Sequence, residues 1–288
     1  MRVARSRRSR ATRTLRRPRL PRTAFLSALA SILLPVSLSA TWSVIAVDSR
    51  TGQVIIASAT CVPQERLYGF PSEGLMDVQA IVVPGVGVAA AQAGVDRTRR
   101  NQSLIYRELK RGTAPEQIIE MLSADSAFQS RQFGIVDMQG RCAGHSGSRN
   151  GQASLWQADS IPELGIYFSV QGNILTSDDV VHEAVTAFKA EGGTMADRVM
   201  AAMEAADAAG GDSRCSCSTD PVLEAPCTHK TAHVAYIRGA EPTGVDGASR
   251  EFFINVTDQD IRPGENANPV TTLRMRYERW KAEGGGRE

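Results

Sequence analysis

The chain has 288 residues, 42% of them hydrophobic and 22% charged, the composition of a globular protein and not of a disordered or fibrous one. Mean hydropathy is −0.21, which excludes a multi-span membrane protein. Residues 1 to 40 hold ten arginines and no acid, leaving 23 basic against 31 acidic groups and a net −8 on residues 41 to 288. An acidic body argues against nucleic acid as a partner, despite the whole-chain pI of 8.3.

Ten arginines between Arg2 and Arg22 precede an apolar run from Ala24 to Leu38, and small residues follow at Ser37, Ser39 and Ala40. Basic, apolar and small is the order of a secretory signal peptide. The apolar run, 15 residues broken by Pro35, is short for a membrane span of about 20. Residues 1–40 are therefore expected to be removed on export, with no stable membrane anchor. Cleavage after Ala40 makes Thr41 the new N-terminus; cleavage after Ser39 leaves Ala40 in front of it. The small-residue rule fits the Ser39 cut better, because Ser37 then sits three positions back.

Thr41 to Val47 reads as a strand with Trp42, Val44 and Ala46 on one face. The turn Asp48-Ser49-Arg50-Thr51-Gly52 returns the chain as Gln53 to Ala59. Val78 to Val83 and Val86 to Ala91 form a second pair around Pro84-Gly85. Asn101 to Arg111 is helical and closed by Gly112. Thr113 is expected to cap the next helix, with Pro115 in its first turn and Glu116 three residues on. Gln132 to Met138, Arg141 to His145 and Tyr167 to Leu175 return to strand. Thr176 with Asp179, and Thr194 with Asp197, are the expected capping boxes of two further helices, the second stopped by Gly210-Gly211. Asp212 to His229 is a cysteine-, serine- and proline-rich loop. Thr231 to Ile237 and Glu251 to Val256 close the strands, and Val270 to Ala282 is a terminal helix. Hairpins alternating with helix pairs predict an α+β fold, two antiparallel sheets sandwiched between helical layers in a four-layer αββα order. The expected division is a leader at 1–40, a main domain at 41–238 with the cysteine-rich loop at 212–230, and a C-terminal extension at 239–288.

The strand that begins at Thr41 and the element order resemble the N-terminal-nucleophile (Ntn) hydrolase fold. The segments TWSVIAVDSRTGQV, PGVGVAAAQAGV, RQFGIVDMQGR, SVQGNIL and AGGDSRC, from Thr41 to Cys215, are similar to the bacterial domain-of-unknown-function 1028 family, grouped with those hydrolases. VQGNIL and GGDSR are its most specific segments. Many members begin Met-Thr-Phe-Ser. Loss of that Met exposes the Thr as cleavage after Ala40 exposes Thr41 here, a parallel that favours the Ala40 cut. The chain departs from the family at Asp96-Arg97-Thr98, at His145, where an aromatic is usual, and at Thr60-Cys61, where many members have Ser-His or Ser-Lys.

The resemblance implies that Thr41 is a nucleophile. A threonine hydroxyl needs a base, and an N-terminal threonine carries one in its α-amine, with a pKa near 8. Asn173 is the expected side-chain donor to the oxyanion of an attacked amide. Gln92, Gln171, Asp212 and Arg214 are the candidate substrate-binding residues; Arg214 would fork onto a substrate carboxylate, and Asp212 would orient it or the amine. Structural roles compete at each position. Thr41 also reads as the start of an edge strand, Asn173 as a cap on Thr176, Gln92 as a buried hydrogen-bonding group, and Asp212–Arg214 as an ion pair that fixes a loop.

Five cysteines in an exported chain predict two disulfides and one free thiol. Cys142, within a predicted strand, is the expected buried thiol. Cys217 and Cys227 would close a ten-residue loop. Cys61 with Cys215 would then tie the second strand to the loop after GGDSR; related exported members often carry cysteine at these last two positions. One sequence does not fix this connectivity. Cys215, Cys217, Cys227 and His229 lack C-x₂-C spacing and lie in an oxidising compartment, so no metal and no cofactor are expected.

The functional expectation is an exported amidohydrolase acting on a small amide or peptide-like substrate, with room for a homo-oligomer. The alternatives are a non-catalytic module on the same scaffold, binding a small ligand or cell-wall peptide, and a structural secreted protein.

Overall fold

The structure, a computed structural model, describes residues 41–69, 72–244 and 249–285. The expected leader, residues 1–40, lies outside the described residues. The chain runs β1 (Thr41–Asp48), β2 (Gln53–Thr60), α1 (Leu75–Gln79), β3 (Ala80–Val83), β4 (Gly87–Ala93), α2 (Arg100–Arg111), α3 (Pro115–Leu122), β5 (Arg131–Asp137) and β6 (Cys142–Ser146). It continues as β7 (Leu155–Ile161), β8 (Ile166–Asn173), α4 (Asp179–Ala190), α5 (Met195–Ala208), β9 (Val234–Pro242), β10 (Ser249–Thr257) and α6 (Pro269–Ala282). The strands form two antiparallel sheets, one of order β10-β9-β2-β1-β8-β7 and one of order β3-β4-β5-β6. β9 and β10 thus belong to the same six-stranded sheet as β1. No helix of the described residues is long and apolar enough to cross a membrane.

Period-2 alternation decides what each strand face meets. Along β1, Trp42, Val44 and Ala46 face α4 and α5 and join Phe168, Phe188, Val199 and Met203 in one apolar cluster. Phe168 and Phe188 stack at 3.8 Å between centroids. The opposite face, with Ile45 and Val47, joins Val54, Ile56, Val88, Ala90 and Val136 in a second cluster between the sheets. A third cluster holds Ala89, Phe133 and Ile135 against Ile105 and Leu109 of α2 and Ile118 and Leu122 of α3. Fully burying each such aliphatic side chain contributes about 1.5–3 kcal/mol.

Several elements differ from expectation. Val78 and Gln79 end α1 and do not begin a strand. Leu75 and Val78, three residues apart, both turn inward there, a spacing that a short apolar run does not distinguish from a strand. Thr113 does not cap α3; Ala114 takes that position without a side-chain bond, and the Thr113 hydroxyl donates to Glu108 Oε2 at 3.0 Å. Thr176 does not cap α4 either. Its hydroxyl donates to Gly210 O at 2.8 Å, and the helix starts after Asp178. The Thr194–Asp197 capping box on α5 is present. β7 is a strand where none is expected, because its residues are partly exposed on both faces and carry no clean alternation.

Candidate functional site

The inter-sheet space is apolar at the β1–β2 turn and becomes polar toward Thr41. On β1 the inward residues run Val47, Ile45, Ser43, Thr41; on β2 they run Val54, Ile56, Ser58, Thr60, all buried. Gln92 of β4 and Gln132 of β5 face them from the four-stranded sheet, and Gln171 and Asn173 from β8, likewise buried. Buried polar groups need partners, and here Thr41, Thr60, Ser43, Ser58, Gln92 and Gln132 form one network, while Gln171 Nε2 has no hydrogen-bond partner among the described residues. Gln92 Nε2 donates to the Thr41 carbonyl at 3.0 Å and to Gln132 Oε1 at 2.8 Å. Ser43 Oγ donates to Gln92 Oε1. Gln132 Nε2 donates to Gly172 O at 2.7 Å and Ser146 Oγ at 3.0 Å. Gln79 Nε2 donates to Ser43 Oγ at 3.2 Å and Tyr236 Oη at 3.1 Å. Burial pushes the Tyr236 phenol up, so it stays neutral.

Thr41 stands at the end of this network, 2% exposed. Antiparallel register places it opposite Thr60 on one side and Asn173 on the other. Its hydroxyl donates to Thr60 Oγ1 at 3.3 Å. Gln171 lies two residues before Asn173 on the same face. Its Oε1 accepts from Ser169 Oγ at 3.2 Å, and a Cβ on Gly134 would come within 2.2 Å of that oxygen. A side chain at 134 would therefore have to displace the buried Gln171 amide.

The QGNIL and GGDSR segments dock on each other beside Thr60. Leu175 and Asp212 form an isolated antiparallel bridge. Thr176 N donates to Gly211 O at 3.1 Å and Ser213 N to Ile174 O at 3.2 Å. Gly211 has φ +47°, and a Cβ there would come within 2.8 Å of the Trp42 ring. Ile174, a β-branched residue, has φ +54°, a strained conformation of the kind that marks functional turns. Asp212 is fully buried. Its Oδ2 accepts from Cys61 N at 2.9 Å and Arg214 Nη2 at 2.8 Å, and its Oδ1 from Arg214 Nε at 3.0 Å. Asp212 therefore orients the Arg214 guanidinium, one-third of whose side chain stays exposed. The structure joins Cys61 to Cys215 and Cys217 to Cys227, which leaves no thiolates at the group considered above for zinc. Cys142 is the free cysteine, half-buried and not fully buried as expected; burial and the neighbouring Asp137 and Glu116 push its thiol up to about 12.

All six expected site residues, Thr41, Gln92, Gln171, Asn173, Asp212 and Arg214, converge on this end of the six-stranded sheet. Thr60, Ser43, Gln79, Gln132 and His233 join them, none of them an expected site residue. His233 N donates to Thr60 O at 2.7 Å, and its ring is 1% exposed. Burial, then Lys230 and Arg214, push the imidazole down to about 4, so it is neutral at physiological pH. His145 serves elsewhere: it stacks on Phe128 at 3.6 Å between centroids.

A family described as "Family of unknown function (DUF1028)" matches residues 41–225, from Thr41 through the docked segments and the Cys61–Cys215 disulfide to Ala225. The chain belongs to the DUF1028 family. The crystal structure of the DUF1028 protein SPO2555 from Silicibacter pomeroyi is similar, with a TM-score of 0.60 and 22% identity over 84% of this chain and 90% of that one. At that identity the likeness is one of fold. No curated protein matches this chain.

Proposed function

We propose that this DUF1028 chain is an exported Ntn-type amidohydrolase with Thr41 as its N-terminal nucleophile, on a four-layer αββα scaffold. The observation that carries the reading is the placement of Thr41 at the first position of a central strand, between Thr60 and Asn173. Removal of residues 1–40 frees its α-amine. The amine then takes the hydroxyl proton as Oγ1 attacks an amide carbonyl. Asn173 donates to the resulting oxyanion, and the Thr41 carbonyl is held by Gln92, so the attacking residue needs little reorganisation. The leaving amine departs with the proton, and water then cleaves the acyl-threonine ester. Arg214, oriented by Asp212, presents a guanidinium to an acidic group of the substrate. Two disulfides support an oxidising, extracytoplasmic location.

One observation favours the second reading, a non-catalytic module for a small ligand or cell-wall peptide. Cys61, at the position where many members carry His or Lys, is consumed by its disulfide and supplies no base. A library of acyl-amides and muropeptide-like amides, offered to the processed protein and to Thr41→Ala, separates the two. Hydrolysis lost in the variant supports the enzyme. Binding that is equal in both, with no turnover, supports the module.

A further inference from the structure

Away from Thr41, the four-stranded sheet ends in β3, which pairs only with β4 among the described residues. A cleft of about 340 Å³ lies along β3, lined by Ala80–Val82, by one face of α2 and its N-cap (Arg99, Gln102, Ser103, Tyr106), and by Arg238 of β9. That volume falls in the range of small-ligand sites. Residues 99, 102, 103 and 106 recur at helical spacing, so they present together.

The charge in the cleft is of one sign. Arg99 takes a left-handed backbone, φ +56°, uncommon for a non-glycine residue, and its guanidinium donates to Asp77 O. Among the described residues no carboxylate lies within ion-pair distance of Arg99. Arg238 Nη2 donates to Glu251 Oε2 at 2.7 Å, at an exposed carboxylate, an ion pair that a competing anion displaces at little cost. Lys110 lies over the Tyr106 ring at 5.5 Å. On the floor, Gln102 is 5% exposed; its Nε2 donates to Val78 O at 2.9 Å, while its Oε1 has no hydrogen-bond partner among the described residues.

An edge strand offers unpaired backbone donors and acceptors. A peptide added to such an edge gains main-chain hydrogen bonds, and its alternate side chains give specificity. We propose that this cleft binds a short, extended, acidic peptide that adds to the β3 edge, its carboxylates on Arg99 and Arg238. The site is independent of the Thr41 chemistry.

The test uses the full processed chain and Val-Glu-Val-Glu-Val-amide with fluorescein on its N-terminus through a Gly-Gly spacer, read by fluorescence anisotropy at low salt. Saturable binding is expected, weakened at least about 10-fold by Arg99→Ala and by Arg238→Ala, and unchanged by Arg214→Ala. Arg99→Lys, which keeps the charge, is expected to retain part of the affinity. Thermal melting of each variant checks that it is folded. The lysine counterpart of the peptide, and an analogue N-methylated at alternate residues, are expected not to bind. Absence of binding would mean that the arginines only guard an edge strand, and would overturn the proposal. Equal binding of the N-methylated peptide would also overturn it, since strand addition would then play no part. So would a loss of binding in Arg214→Ala, which would place the peptide at the other site.

Discussion

Gln92 Nε2 holds the carbonyl of Thr41 at 3.0 Å, a bond from the four-stranded sheet to the first residue of β1. The same side chain accepts from Ser43 and donates to Gln132, so one glutamine ties β1 of the six-stranded sheet to β4 and β5 of the four-stranded one. Gln92→Leu is expected to strand those groups in a buried site and to destabilise the fold by about 2–3 kcal/mol. Urea unfolding measures this. A loss under about 0.5 kcal/mol would show that the network is dispensable.

The two disulfides differ in the loops they close. Cys61 and Cys215 are 154 residues apart, Cys217 and Cys227 only 10. Loop-closure entropy gives about 5 kcal/mol for the first and about 3 kcal/mol for the second. Cys61→Ser with Cys215→Ser is therefore expected to lower the melting temperature more than Cys217→Ser with Cys227→Ser. Alkylation of the unreduced protein in denaturant, where Cys142 is no longer buried, is expected to modify Cys142 alone. The reverse order of melting temperatures, or alkylation at Cys61 or Cys215, would contradict the arrangement.

Asn173 and Arg214 are assigned different parts, and kinetics separates them. Asn173→Ala is expected to lower kcat about 10²-fold if its amide meets the oxyanion. Arg214→Ala is expected to raise KM for acidic amides and leave neutral ones unchanged. An equal effect of Arg214→Ala on both substrate types would assign it to the loop alone, as the ion pair with Asp212.

His233 gives stability a pH dependence of definite sign. Its folded pKa, about 4, lies below the ordinary 6.5, so the unfolded chain binds the proton more tightly. Its contribution is complete above about pH 6.5 and is lost as pH falls toward 4. That contribution is about 2 kcal/mol after allowing for solvent screening. Urea unfolding of wild type and His233→Gln between pH 7 and 4 is expected to show a steeper decline in wild type. Parallel curves would refute the assignment.

Much of the fold is legible because β1, β2 and β4 are short runs of apolar and small residues, buried on both faces, and the turns between strands carry Gly. The polar network is legible only in part. Ser43, Ser58, Thr60 and Gln132 share the parity of inward-facing Ile45, Val47, Val54, Ile56 and Val136. A polar residue at such a position reads as the start of a solvent face until the opposite sheet is known. Thr176 fits a capping pattern, yet its hydroxyl reaches Gly210, 34 residues on, a competition that local sequence does not reveal. The bond from Cys61 N to Asp212 spans 151 residues, and a backbone donor has no signature in sequence. β7 leaves no sequence signal for a third reason: as an edge strand partly exposed on both faces, it has no buried face to mark it.

The most direct measurement is the position of covalent labelling on the exported protein. The protein is treated with a β-lactone electrophile, and its intact mass and N-terminal peptide are then determined. The account predicts a chain that starts at Thr41, with one adduct on Thr41 that is absent from Thr41→Ala and retained by Thr41→Ser. A chain that starts at Ala40, or a correctly processed chain that takes no label at Thr41, would contradict it.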